Sequence, residues 1–266
     1  MTDWLADDVA VVTGGASGNG RAISTTLAEH GADVVVADIQ EEPREGGEPT
    51  HELVESEYGQ RGEFEECDVT NMEQLESAFD AAEALGGVSI LVNNAGITED
   101  TQFLAETEAD FDRIIDINVK GPFFASQLAA ERMVDADREG SIVNIASISG
   151  VVGRGNGVVY SASKGALRLM TYALAASLGP HGIRVNDVSP GAVETSMTHD
   201  DLGMFESDAA EEYARRTPLG RVGRPQDIGN AVLYLASPLA DFVSGETLVV
   251  DGGATNSHGI GSSEGE

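Results

Sequence analysis

Tyr160 and Lys164 stand four positions apart in the stretch YSASK. Residues at i and i+4 share one face of a helix, so on a helix the phenol and the ammonium project together. An unperturbed tyrosine titrates near ~10, too high for a base at neutral pH. A cation within several ångströms favours the phenolate and lowers that value. Tyr160 could then take a proton from an alcohol, or return one to a ketone. The chain carries two lysines, Lys120 and Lys164, in 266 residues. In so lysine-poor a composition, a merely solvated Lys164 is the weaker account. Ser147 closes the run GSIVNIAS (140–147). Strand C-terminal ends line the ligand crevice of an open α/β sheet, so its hydroxyl could hold a substrate oxygen beside Tyr160. A serine after a strand is also ordinary loop chemistry, and Ser147 alone decides nothing.

A second group of residues suits a dinucleotide. The run VAVVT (9–13) leads into GGASGNG, where Gly14, Gly18 and Gly20 precede a helical pattern with Ser17 and Asn19 between them. Small residues let the backbone turn tightly and approach a pyrophosphate, and a helix N-terminus favours its negative charge. The following run, DVVVAD (33–38), ends at Asp38, with Ile39 next. An acid at that point accepts hydrogen bonds from a ribose 2′-OH and repels a 2′-phosphate. No basic residue adjoins Asp38, and Arg44 lies in the loop beyond. The pattern favours NAD over NADP. The alternative is that Asp38 is one more surface acid in an acidic chain.

These residues need a sheet to hold them. Strand-like runs fall at 9–13, 33–38, 63–68, 89–96, 140–147, 183–191 and 246–253. Several are apolar throughout, as strands buried on both faces must be. Helix-like segments lie between them, at about 18–30, 51–59, 71–85, 107–135, 157–178, 205–215 and 225–236. Regular alternation implies a parallel sheet with helices on both faces, and right-handed crossovers leave few topologies. The expected fold is α/β: a doubly wound, Rossmann-type, seven-stranded parallel sheet in a single domain, residues 1–256. A flexible acidic tail is expected over 257–266. The stretch EEPREGGEPT (41–50) breaks the rhythm with loop chemistry, Gly46-Gly47 between two prolines.

Composition narrows the partners. Lys+Arg is 15 against 46 Asp+Glu, a formal net charge of -31. A nucleic-acid backbone would be repelled, and docking on anionic lipid is disfavoured. The acids run from Asp3 to Glu266 among periodic apolar residues, which argues against disorder. They read as a solvated coat suited to concentrated salt, where the Debye length is only ~3 Å at 1 M. The other reading is an acidic mesophilic protein. Cys67 is the single cysteine and suits a small buried hydrophobe better than a nucleophile. The acidic N-terminus lacks the positive region of a signal peptide, and no apolar run approaches the ~18 residues of a membrane span. A cytoplasmic protein is expected. His30, His51, His181, His199 and His258 show no metal-binding spacing, so no catalytic metal is expected.

The whole set resembles the short-chain dehydrogenase/reductase family, in its single-domain branch. The resemblance rests on TGGASGNG (13–20), NNAG (93–96), Asn118, Ser147, YSASK, PGAVET (190–195) and VDGG (250–253), and covers about residues 5–253. It implies a catalytic set of Asn118, Ser147, Tyr160 and Lys164. Tyr160 would be the acid/base and Ser147 the hydroxyl that orients substrate. Lys164 would lower the tyrosine pKa and bind the nicotinamide ribose. Asn118 would sit at a local helix irregularity and hold a water in a proton relay. Asp68 and Val69 would contact adenine. Asn94, Ala95 and Gly96 would brace the sheet and pass close to the cofactor. Pro190 and Gly191 would contact the cofactor, the Val193 backbone and Thr195 hydroxyl would meet the nicotinamide carboxamide, and VDGG would be structural. One departure is Asn19, where the family usually has an aliphatic residue.

The same resemblance implies an oxidoreductase, NAD-dependent on the reading of Asp38, a homotetramer packing through 107–135 and 157–178, and a lid over the substrate at about 196–222. The lid's acids disfavour a strongly anionic substrate. A sugar oxidised at C1, or a polyol, is the favoured expectation. A 3-oxoacyl thioester reductase and a secondary-alcohol or steroid dehydrogenase are the alternatives. A catalytically silent NAD-sensing protein is the alternative of another class.

Overall fold

The computed structural model describes residues 3–257, apart from 100, 154, 206 and 207. Of the expected tail, all but Ser257 lies outside the described residues. Seven strands form one parallel sheet: β1 (Val9–Thr13), β2 (Asp33–Asp38), β3 (Gly62–Glu66), β4 (Ile90–Asn93), β5 (Gly140–Ile145), β6 (Ile183–Pro190) and β7 (Thr247–Val250), in the order β3-β2-β1-β4-β5-β6-β7. The chain steps outward from β1 to β3, then returns to the other side of β1 with β4. That reversal leaves a crevice above the ends of β1 and β4, where such sheets bind ligands. Register makes the rim level: Thr13 pairs with Ala37 and Asn93, and Asn93 with Asn144.

Alternate residues of each strand point to opposite faces, and both faces are buried. On one, Ala10, Val12, Val34 and Val36 pack against Ile23 and Leu27 of α1 (Gly18–Glu29) and Ile228 and Val232 of α8 (Pro225–Ala236). On the other, Val9, Val11, Val35 and Leu91 meet Leu75 and Phe79 of α3 (Met72–Ala84) and Ala125, Ala129 and Met133 of α5 (Gly121–Asp135). Truncating one such leucine to alanine costs about 2–5 kcal/mol. The remaining helices are α2 (Thr50–Tyr58), α4 (Glu108–Ile115), α6 (Val158–Leu178) and α7 (Ala209–Arg216). On α6, Val159, Ser163, Lys164, Leu167 and Thr171 are buried at helical spacing, so Lys164 belongs to the inward face.

The helical segment expected over 107–135 is three pieces. A wide π turn, Asp116–Lys120, separates α4 from α5. Pro122 stands four positions after Asn118 and brings no N–H to its carbonyl, so a regular α-helical bond cannot form there. The Asn118 side chain pairs with the backbone of Ile97 on both sides, accepting from its N–H at 2.9 Å and donating to its carbonyl at 2.9 Å. Those bonds hold the π turn against the loop that follows β4.

Candidate active site

A cleft of about 900 Å³ opens at the C-terminal rim of the sheet and takes in both groups of sequence-selected residues. Gly14 and Gly18 adopt the left-handed backbone, with φ of 63° and 52°. A Cβ on Gly20 would lie 1.9 Å from the Gly14 carbonyl oxygen, so only glycine lets the turn fold back on α1. The turn is clamped from β4. Asn94 Nδ2 donates to the carbonyls of Thr13 and Gly14 at 3.0 and 2.9 Å. Thr13 Oγ1 accepts from the N–H groups of Asn94 and Ala95.

Asp38 sits at the end of β2, where its Oδ2 accepts from the Ala16 N–H at 3.0 Å and its Oδ1 from Gln40 at 3.3 Å. Burial pushes its carboxyl pKa up, while the backbone N–H bonds pull it back. Ile39 beside it is exposed on the cleft rim. Asp68 is occupied in its own turn, accepting from the Thr70 N–H at 2.9 Å. Val69 and Cys67 are buried in the adjoining wall, and burial pushes the Cys67 thiol up to about 12.

Three of the catalytic candidates come from the loop after β5 and from α6. Ser147 caps a short 3-10 turn, Ile148–Gly150, and its Oγ accepts from the Ser149 N–H at 3.1 Å. Tyr160 and Lys164 both line the cleft, and Lys164 Nζ stands 5.8 Å from the centre of the Tyr160 ring. Nζ also donates to the Ile145 carbonyl at 2.9 Å. Lys164 is 5% exposed, and burial draws its pKa down to about 8. Its ammonium therefore persists at neutral pH and is lost as pH rises past that value. Gly96 passes close by: a Cβ there would sit 3.3 Å from Lys164 Nζ and 3.2 Å from Asn118 Oδ1.

Two sequence-selected residues lie behind the cleft wall. Gly20 is packed under the turn. Asn118 is fully buried, and beyond Ile97 it donates to Ser163 Oγ at 3.1 Å. Ser163 in turn donates to the Tyr160 carbonyl at 2.7 Å. Asn118 thus ties the π turn to the helix that carries the tyrosine. The other selected residues, Ser17, Asn19, Pro190, Gly191, Val193 and Thr195 among them, line the cleft.

Several cleft residues were not anticipated. The 41–50 loop folds back, so Arg44 reaches the cleft, and its guanidinium meets Asp200 at 3.4 Å. Tyr213 of α7 accepts from the Ala192 N–H at 3.0 Å, latching the 196–222 segment to the PGAVET loop. A polar network supports the end of β6. Arg168 Nε donates to Tyr172 at 2.8 Å, Thr247 Oγ1 to Asp187 Oδ2 at 2.7 Å, and Ser189 to Asp187 Oδ1 at 3.0 Å. Burial outweighs those bonds and lifts the Asp187 carboxyl to about 6. The prolines around Gly46-Gly47 were a usable sign of a sharp reversal in the loop. Nothing local marks Tyr213 or Asp187.

A family model described as enoyl-(acyl carrier protein) reductase matches residues 14–255. The chain belongs to the short-chain dehydrogenase/reductase family. It is therefore an oxidoreductase, and members of this family take a nicotinamide cofactor. Relatives within the family differ in substrate. The 3-oxoacyl-[acyl-carrier-protein] reductase of Aquifex aeolicus is 36% identical, covering 94% of this chain and 98% of that protein. The cyclopentanol dehydrogenase of Comamonas sp. strain NCIMB 9872 is 41% identical, covering 94% and 97%. The L-rhamnose 1-dehydrogenase (NAD(P)(+)) of Azotobacter vinelandii is 36% identical, covering 94% and 97%. The crystal structure of a short-chain type dehydrogenase/reductase from Mycobacterium marinum superposes with a TM-score of 0.84 at 36% identity, covering 95% of this chain and 97% of that one. Among the described residues, no helix is long and apolar enough to cross a membrane.

Proposed function

We propose that the protein is an NAD-dependent dehydrogenase acting on a secondary alcohol or hemiacetal carbon, with a sugar at C1 or a polyol as substrate. The observation that carries this reading is the Tyr160–Lys164 pair, one helical turn apart in the same cleft as Ser147 and the glycine turn. The cleft suits a dinucleotide: the glycines let the backbone of the turn come close to a diphosphate beside the start of α1, and Asp38, in the cleft lining, would accept from ribose hydroxyls. Gly14, Ser17, Gly18, Asn19, Asp38, Ile39, Asp68, Val69, Asn94, Ala95 and Gly96 would hold the adenosine and diphosphate side. Lys164, Pro190, Gly191, Val193 and Thr195 would hold the nicotinamide side. The Val193 carbonyl accepts from Thr198 Oγ1 at 2.7 Å, which fixes the loop whose Val193 N–H would meet a carboxamide oxygen. When bound, the nicotinamide exchanges a hydride with the substrate carbon.

The protein's own groups handle the proton. Ser147 Oγ orients the substrate oxygen, and the substrate hydroxyl proton passes to the Tyr160 phenolate oxygen. Lys164 favours that phenolate while its ammonium is charged. The Asn118 side chain is committed to Ile97 and Ser163, so its backbone carbonyl, opposite Pro122, is the group left to hold a relay water. Met197, Leu202 and Met204 line the substrate end beside acidic Asp200, a mix suited to a neutral ligand. A 3-oxoacyl thioester reductase is the second reading, favoured by the 36% identity to that relative. The acid at Asp38 weighs against it, since it opposes a 2′-phosphate.

Tyr160→Phe tests the reading. It should keep NAD+ affinity and lose about 100-fold or more in turnover. Full activity in that variant would end the proposed role. Turnover itself should be sought with NAD+ and a panel of aldoses, polyols and secondary alcohols in molar salt. Binding without turnover across the panel would favour an NAD sensor. The acidic coat suits work in concentrated salt, in the cytoplasm. Exposed Phe111, Phe123 and Leu169 on α4, α5 and α6 suit the contacts of a homotetramer.

A further inference from the structure

We infer that Glu45, in the loop between β2 and α2, is a specificity residue that works with Asp38 to exclude a cofactor bearing a 2′-phosphate. The inference rests on the dinucleotide reading above. Glu45 Oε1 accepts from the Gly18 N–H at 2.8 Å, at the first residue of α1. The neighbouring Arg44 N–H donates to Ser17 Oγ at 2.9 Å, so the loop is pinned to two successive residues of the glycine turn. Asp38 holds the Ala16 N–H of that same turn. Two carboxylates therefore occupy N–H groups two residues apart, on the segment where a phosphate would find donors.

The chemistry of this arrangement is selective. Ribose hydroxyls can donate to carboxylates. A 2′-phosphate has no such donor when ionised, and it adds like charge beside two anions. The N–H at the helix start that could have received it is already taken by Glu45. Arg44, the nearby cation on the same loop, directs its guanidinium to Asp200. Glu45 is exposed, so its effect is one of contact and short range in molar salt.

The test is calorimetric titration of NAD+ and NADP+, without turnover, into wild type, Glu45→Gln and Glu42→Gln at fixed molar KCl. Glutamine keeps an acceptor oxygen for the Gly18 N–H and removes only the charge. Glu42 lies exposed on the same loop and controls for net charge. Glu45→Gln should tighten NADP+ about tenfold and leave NAD+ within about twofold, while Glu42→Gln should move neither. An unmoved ratio in Glu45→Gln, or an equal gain for both cofactors, overturns the role of Glu45. The same gain in Glu42→Gln does so as well, since net charge would then explain it. If wild type itself prefers NADP+, the Asp38 reading falls too. A wild-type preference for NAD+ with an unmoved ratio overturns Glu45 alone.

Discussion

Replacing Lys164 by methionine should change how folding stability depends on pH. The lysine pKa falls from 10.5 to about 8 in the folded protein because the ammonium is shut away from water. At about 1.4 kcal/mol per pKa unit, a drop of that size corresponds to about 3 kcal/mol, with no discount for solvent in a side chain this buried. The sign follows from proton linkage. Below about 8 both states are protonated, and the folded state bears the full cost of the buried charge. Between about 8 and 10.5 the folded state loses its proton first, and the cost is relieved. Methionine fills a similar volume and does not titrate. Its loss of the bond to the Ile145 carbonyl lowers stability by an amount that is constant with pH. The assay is urea unfolding of both proteins at pH 7, 8, 9 and 10.5 in constant molar salt. Wild type minus variant should rise by about 3 kcal/mol over that range. A difference flat to within about 0.5 kcal/mol would refute the account of Lys164 as a desolvated ammonium.

Three further outcomes can be checked. Asp187→Asn should flatten an acid-side trend, because a carboxyl raised to about 6 gives stability that is present below its ordinary 3.8 and lost as pH rises through 6. Melting curves at pH 4.5 and 7.5 should show wild type losing about 2 kcal/mol relative to the variant, and equal shifts would contradict it. Tyr213→Phe frees the Ala192 N–H and unlatches α7. It should raise substrate KM several-fold with kcat within about twofold, and a selective fall in kcat would assign the hydroxyl a different task. With a net charge of -31, dilution from molar to 50 mM salt should lower Tm markedly, and a salt-independent Tm would remove the case for an acidic coat built for brine.

The sheet was legible because VAVVT, DVVVAD and GSIVNIAS must be buried on both faces, and only a covered parallel sheet does that. The glycine turn and Asp38 followed from their places at the ends of those runs. What could not be read was tertiary. The irregularity at Asn118 was expected from the family resemblance and is there as a π turn, but the pairing of Asn118 with Ile97 across 21 positions that holds it was not. The 41–50 segment looked like a connection, yet Glu45 and Arg44 return to the glycine turn across 27 positions. Asp187 sat unremarked within a strand, and its partners Thr247 and Arg168 come from β7 and α6. Polar groups paired over such distances leave no periodic trace in the chain.

Cys67 gives the protein a useful property at the bench. It is the single sulfhydryl, it lies buried in the wall of the cleft, and it is held protonated far above neutral pH. Maleimides need the thiolate, so the native chain should stay unlabelled. A new cysteine on the outer side of α7 could then carry a lone fluorophore, and a change in its emission on adding cofactor or substrate would show whether that helix moves.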